Sequence, residues 1–321
     1  MKNKIKMGGT DKNITLEEAF EKFVKMKTIN NLAKETIEYY RYCFKFFKEY
    51  CNKEKIFLCI EITEETFYNA LEYLKETHSI SSVTVNTHIR GLRAILYFFM
   101  ERGYISSFKI KLIKSEKPIK EVYTDNEIEK LIEKPNIKKC SFLEFRNWAI
   151  VCYLLGTGNR LKTLRNLKVG DIDIDNMDIK LKTVKNKKPY IIPMSNSLKS
   201  VLIEYLAHRG GDEDDYLFCT QYGTQMASEG VKTAITKYNR GRGVEKRSIH
   251  LFRHTFAKNW IMSGGDILRL QKILGHSTLD MVKEYVAIFG ADLKNNFDKF
   301  NPLDRHSNII NPQKIKMKKV S

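Results

Sequence analysis

The stretch SFLEFRNWAIVCYLLGTGNR, residues 141–160, organises the second half of the chain. Ser141 and Glu144 stand three apart, the spacing at which a serine hydroxyl and a glutamate carboxylate cap a helix N-terminus reciprocally. The residues that follow, through Trp148, Val151 and Leu155, predict a strongly apolar helix. Gly156 and Gly158 predict its end. Arg160 follows that turn, where its guanidinium projects from a rigid support.

Downstream, the pattern changes period. Asp171 to Ile174, Asp178 to Lys182 and Tyr190 to Met194 read as short strands, with turns at Asp175-Asn176 and Asn186-Lys187-Lys188. After Ser195 the chain reads mainly as helix, interrupted at Gly210-Gly211, Gly241-Arg242-Gly243 and Gly264-Gly265. Thr124 to Glu127 is a second capping box and opens this domain.

Upstream, Ile14 to about Tyr104 is almost purely helical in pattern. Thr15-Leu16-Glu17-Glu18 is a capping box, followed by Phe20, Phe23 and Val24 at helical spacing. Ile37, Tyr40, Phe44 and Phe47 mark a second helix, Phe67, Ala70, Leu71 and Leu74 a third, and Ile89, Leu92, Ile95, Leu96 and Phe99 a fourth. Four amphipathic helices joined by short polar turns make a small bundle. Lys109 to Val122 carries seven charges and Pro118, follows neither period and reads as an extended basic linker. The expected fold is mainly α with a small antiparallel β-sheet: an N-terminal helical bundle and an α+β domain. The expected boundaries are a flexible N-terminus over 1–13, a bundle over 14–108, a linker over 109–122, the second domain over 123–300 and a basic tail over 301–321.

The 321 residues suffice for two domains with separate cores. Lys and Arg total 56 against 38 acidic residues, and the resulting formal charge of +18 favours a polyanionic partner. Charge alone leaves DNA, RNA and an anionic membrane open. No apolar run approaches the length that spans a bilayer, and the six cysteines form no C-x-x-C pair and no zinc-like alternation with histidine. Reduced thiols in a cytoplasmic protein, without membrane attachment, are expected.

Five signatures then occur in one order: Thr157-Gly158-Asn159-Arg160, Lys185, His250-Leu251-Phe252-Arg253-His254, Leu274-Gly275-His276 and Tyr285. Each alone has an ordinary explanation. Arg160 reads as a solvated helix-terminal charge, Lys185 as a hairpin tip, His276 as a core histidine at a helix start and Tyr285 as a core aromatic. Taken together, two arginines, a lysine and two histidines can hold a phosphodiester and neutralise the charge that builds on it, and a tyrosine can supply the attacking oxygen.

In that order and spacing the set resembles the catalytic centre of the tyrosine recombinases, the phage-integrase, Xer and Cre superfamily, and the likeness runs from Ile14 to about Phe300. Three positions depart from the pattern: Asn159 replaces an apolar residue, Phe252 a leucine, and Thr163 stands where an acidic residue often follows the first arginine by three. The resemblance implies a two-domain site-specific recombinase, bacterial or phage-encoded and belonging to a mobile element. It implies that Tyr285 attacks a scissile phosphate to leave a 3′-phosphotyrosyl bond, Lys185 protonates the leaving oxygen, His250 handles the tyrosine proton, and Arg160, Arg253 and His276 hold the non-bridging oxygens. Fixed cations then do the work of a metal, and neither cofactor nor metal is expected.

The resemblance further implies that the SAM-like helical domain binds the core site, clamps duplex DNA together with the catalytic domain, and reads it through the second and fourth helices; Lys45, Arg90 and Arg93 are the candidate contacts there. The arm-binding domain of larger integrases is not expected, and a tetramer on paired sites is. Leu293, Phe297 and Phe300 form an apolar stripe that either folds back on its own domain or, as the resemblance implies, docks on an adjacent protomer. Two other readings remain open: a monomeric relaxase of the type IB topoisomerase kind, and a non-catalytic helical DNA-binding protein. Relaxation by a single protomer marks the first, and failure to form a covalent DNA adduct marks the second.

Overall fold

The computed structural model describes residues 13–115, 121–182, 189–276, 278–279, 282–283 and 285. The chain divides into two compact units, Met1–Pro118 and Ile119–Ser321.

The first unit is built on four helices among the described residues: α1 (Leu16–Ile29), α2 (Lys34–Lys53), α3 (Glu64–His78) and α4 (Ser82–Glu101). Thr15 caps α1 with both bonds of the capping box present, as its spacing predicts. Thr63 and Ser81 cap α3 and α4 by the same hydroxyl-to-backbone geometry. Helix α4 buries Val85, Ile89, Leu92, Ile95, Leu96 and Phe99 and packs on α1, α2 and α3. It comes close to α2 at Gly91, where a Cβ would lie 2.5 Å from Cys43 Sγ and 2.9 Å from Cys43 Cβ, so a side chain there requires a neighbour to shift. Phe20 of α1 stacks on Phe44 of α2 with ring centroids 3.9 Å apart, and each buried phenylalanine contributes about 1.5–3 kcal/mol.

The segment read as the start of a linker is partly held on this unit. Asn86, buried on α4, receives the Ile113 N–H at 3.0 Å and donates to the Ile113 carbonyl at 2.9 Å, as a neighbouring strand would. Ile110 is buried beside it, its N–H directed at the Tyr97 hydroxyl. A side-chain amide offering one donor and one acceptor satisfies backbone that has neither helix nor sheet.

The second unit contains α5 (Asp125–Ile132), α6 (Phe142–Thr157), α7 (Leu161–Asn166), α8 (Asn196–Arg209), α9 (Ser228–Gly241), α10 (His250–Met262) and α11 (Ile267–Leu274). Helix α6 is its axis: it packs on α5, α8, α9 and α10 and buries Trp148, Ile150, Val151 and Leu154, the pattern of a helix apolar all round. Ser141 caps it through Glu144 N–H, with only that forward bond of the box in place. Gly156 does not end the helix; it lies within it, where a Cβ would come 3.3 Å from Leu198 of α8. The end falls at Gly158, whose φ of 62° is the left-handed region that favours glycine.

Strands β1 (Ile172–Asp173), β2 (Asp178–Leu181) and β3 (Tyr190–Pro193) form one antiparallel sheet in the order β1-β2-β3. In the β2–β3 register Leu181 faces Tyr190 and Ile179 faces Ile192. Between α8 and α9 the chain is not helical, and isolated bridges, Lys168 with Tyr216 and Cys219 with Gln225, hold it. All six cysteines are free, four of them buried. Among the described residues no helix is long and apolar enough to cross a membrane.

Candidate active site

The left-handed turn after α6 carries the first arginine. Thr157 Oγ1 donates to the Tyr153 carbonyl at 2.7 Å, and Asn159 Nδ2 to the Tyr153 hydroxyl at 2.6 Å. Asn159 is 3% exposed, so a polar residue stands at an apolar position because its amide is paired. Arg160 is the N-cap residue that precedes α7, and its Nη1 reaches the Leu274 carbonyl at 3.3 Å.

Helix α10 brings the second arginine to the same place. Arg253, 4% exposed, donates to the Gly158 carbonyl at 3.0 Å and the Leu274 carbonyl at 2.8 Å, and its Nη2 also contacts Nε2 of His276. The Leu274 oxygen therefore accepts from both arginines. It is the last carbonyl of α11, where the helix dipole favours cations. Burial, and then the charge of Arg160, push the Arg253 pKa down to about 10, so it stays cationic at neutral pH. The groups that bear most on it are Arg160, Tyr285 and Tyr190, with no carboxylate among them. A buried guanidinium with a half-buried one beside it, and no carboxylate among the groups that act most on the buried one, suits an anion.

His276 does not start a helix, as its sequence context suggested; it follows the end of one. Gly275, at φ 61°, terminates α11, and the His276 N–H returns to the Gln271 carbonyl at 3.0 Å, a left-handed helix cap that turns the imidazole inward to 7% exposure. A Cβ at Gly275 would lie 2.6 Å from the Tyr190 hydroxyl, which donates to the Ile273 carbonyl at 3.3 Å. The β3 strand is thereby tied to the histidine turn. At the foot of the β2–β3 hairpin, Lys182 pairs with buried Asp171 at 2.7 Å. Lys185, between those strands, lies outside the described residues.

His250 is the first residue of α10 and is exposed. Loss of solvent around the ring, then the charges of Arg253 and Arg160, hold its pKa below the ordinary imidazole value, which keeps it neutral at pH 7. Tyr285 is 3% exposed. Its ring lies parallel to that of His276, with centroids 6.5 Å apart, and its hydroxyl meets His254 Nδ1 at 2.8 Å. The histidine bonded to the tyrosine hydroxyl is therefore His254, whereas the sequence reading gave that proton to His250. Adjacency to Arg253 was the only signal for His254, and no spacing rule joins it to a residue 31 positions later.

Five of the six residues singled out for chemistry are thus described. Arg253 ties the Leu274 carbonyl, His276 and the turn that bears Arg160 together. The DNA-contact candidates lie in the other unit: Lys45 on α2 and Arg90 on α4 are exposed, and Arg93 on α4 is half-buried. The apolar stripe Leu293, Phe297 and Phe300 lies outside the described residues.

This arrangement is that of an enzyme class, and comparison with known proteins specifies it. The model of the phage integrase family matches residues 121–290. The chain belongs to that family, the tyrosine recombinases, enzymes that break and rejoin DNA strands. It is 26% identical over 295 residues to the tyrosine recombinase XerC of Leptospira interrogans, covering 90% of this chain and 94% of that one. It is 28% identical over 292 residues to the tyrosine recombinase XerA of Pyrococcus furiosus, covering 89% and 95%. In fold it matches a lambda integrase tetramer bound to a Holliday junction, with a TM-score of 0.67 at 17% identity over 89% of this chain and 81% of that one.

Proposed function

We propose that this protein is a site-specific DNA recombinase that cleaves each strand through a 3′-phosphotyrosyl intermediate formed at Tyr285. The observation that carries the reading is the convergence of Arg160 and Arg253 on the Leu274 carbonyl, with His276 and Tyr285 beside them.

In this reading the non-bridging oxygens of a scissile phosphate accept hydrogen bonds from Arg160, Arg253 and His276, which stabilise the charge that grows in the transition state. The Tyr285 oxygen bonds to phosphorus as its proton passes to a neutral imidazole, the part the resemblance gives to His250, and the bond from phosphorus to the 5′-oxygen breaks. An alkoxide leaves poorly at neutral pH, so the 5′-oxygen takes a proton from Lys185. The free 5′-hydroxyl of one strand later attacks the phosphotyrosine of another, reversing the chemistry and releasing Tyr285. Bond energy stays in the covalent intermediate, so no nucleotide is hydrolysed and no metal is needed.

The helical unit supplies core-site binding, with Lys45, Arg90 and Arg93 contacting phosphates or base edges, and the working assembly is a tetramer on paired sites. The lambda integrase tetramer on a Holliday junction supports that stoichiometry by likeness of fold. We place the enzyme in the cytoplasm, acting on duplex DNA of a mobile element.

The test is covalent trapping on a nicked suicide substrate made from the DNA that flanks the gene. The wild-type chain is expected to leave a denaturant-resistant adduct, and Tyr285→Phe to leave none while binding the same DNA within about twofold, since only the chemistry needs the hydroxyl. An adduct on the Phe variant moves the nucleophile elsewhere. No adduct with either protein leaves a DNA-binding protein without catalysis.

A further inference from the structure

The reading above assigns no part to His254, yet His254 carries the hydrogen bond to the attacking oxygen. We infer that His254 is a positioning residue for the nucleophile: its Nδ1 accepts the Tyr285 hydroxyl and fixes the phenol beside Arg253. The inference rests on Tyr285 being the nucleophile.

The geometry has three parts. His254 Nδ1 lies 2.8 Å from the Tyr285 oxygen, a full-strength hydrogen bond for a hydroxyl. The charge of the Arg253 guanidinium also acts on the Tyr285 phenol. A guanidinium only donates, so it cannot take the hydroxyl hydrogen. That hydrogen needs an acceptor, and Nδ1 is one when the imidazole is neutral with its proton on Nε2. The bond to Nδ1 sets both the place of the oxygen against α10 and the direction of its O–H bond.

Arg253 and His254 are consecutive residues of α10, so one rigid helix sets the phosphate ligand and the tyrosine anchor at once. Helix α10 is itself fixed at the residue after His254: Thr255 is fully buried and its hydroxyl accepts the Tyr123 N–H at 2.9 Å. Tyr285, by contrast, lies beyond the end of α11, and its ring packs beside those of His254 and His276. Alignment of a nucleophile with the phosphorus it attacks is sensitive to this kind of anchor, since displacement by about 1 Å costs on the order of 10²-fold in rate.

The experiment compares single-turnover adduct formation by the full chain on the suicide substrate. His254→Leu keeps most of the volume and loses the acceptor; His254→Asn places an amide oxygen near the position of Nδ1. His254→Leu is expected to slow adduct formation roughly 10²-fold with DNA affinity unchanged, and His254→Asn to recover most of that loss. A merely structural histidine gives no such rescue. A second measurement needs no substitution at His254: the ¹⁵N resonance of its Nδ1 in the otherwise native chain is expected to move in Tyr285→Phe, which removes the hydrogen bond. The inference is overturned if His254→Leu cleaves at the wild-type rate, if it cleaves faster, if His254→Asn is as slow as His254→Leu, or if the Nδ1 resonance stays where it was. Failure of the underlying reading looks different: the wild-type chain forms no adduct, or Tyr285→Phe still forms one, whatever stands at position 254.

Discussion

Arg253 donates to the Gly158 carbonyl at 3.0 Å, across 95 residues of sequence. One side chain thus closes the turn that launches Arg160 and, through Leu274, the turn that presents His276. In the proposed mechanism, binding the phosphate and bracing the two loops that bind it fall to the same side chain, and the two are expected to fail together.

Arg253→Lys keeps the charge and loses the fork. A lysine ammonium cannot reach Gly158, Leu274 and His276 simultaneously, so cleavage is expected to be abolished and stability to fall by about 1–3 kcal/mol. Gly158→Ala tests the scaffold without touching a charged group. Its φ of 62° and a Cβ 2.8 Å from both Leu274 and Phe256 predict a loss of roughly 1–3 kcal/mol, read as a lowered urea midpoint. A Gly158→Ala protein with the wild-type midpoint would show that the turn relaxes freely.

Lys185→Ala is expected to slow cleavage of ordinary DNA by roughly 10²–10⁴-fold, the range for loss of a general acid. Replacing the bridging 5′-oxygen with sulfur gives a leaving group that needs no proton, and the variant is then expected to cleave near the wild-type rate. Equal defects on the two substrates would assign the proton to another residue.

Adduct formation is expected to proceed at an unchanged rate in excess EDTA, because the proposed mechanism neutralises the phosphate with Arg160 and Arg253. Strict dependence on added magnesium would overturn the scheme.

His88 supplies a pH dependence of stability in the helical unit. It is 2% exposed on α4, packed against the rings of Tyr42 and Phe46, and among the described residues its Nδ1 has no hydrogen-bond partner. Burial, and next the proximity of His78, lower its pKa from 6.5, so the unfolded chain takes up the proton first as pH falls. The contribution of a neutral His88 is intact above about pH 6.5 and is lost as pH falls through the lower folded-state value. Thermal melts followed by circular dichroism between pH 7.5 and about 5 are expected to show this fall in the wild type and a flatter profile in His88→Leu. Parallel profiles would place the titration elsewhere.

Much of the architecture is legible in the sequence because it is local. Thr15 and Thr124 announce helix starts through hydroxyl and carboxylate partners three residues apart, and both boxes form as read. The strands around Asp175-Asn176 fall where alternation and turn residues put them. The order of Arg160, Arg253, His276 and Tyr285 along the chain marks the site for the same reason, since each occurs in a short pattern of its own.

Tertiary structure alone decided what those residues touch. Gly156 reads as a stop yet lies inside α6, because α8 packs close against it. His276 reads as the start of a helix and proves to follow a left-handed cap, which turns its ring toward Arg253. Asn86 pins Ile113, and His254 holds Tyr285, through contacts 27 and 31 residues apart for which no periodicity exists. Local hydrogen bonds depend on neighbours in sequence and are written there. Contacts between elements depend on how whole helices pack, and that is settled only when the core has closed around α6.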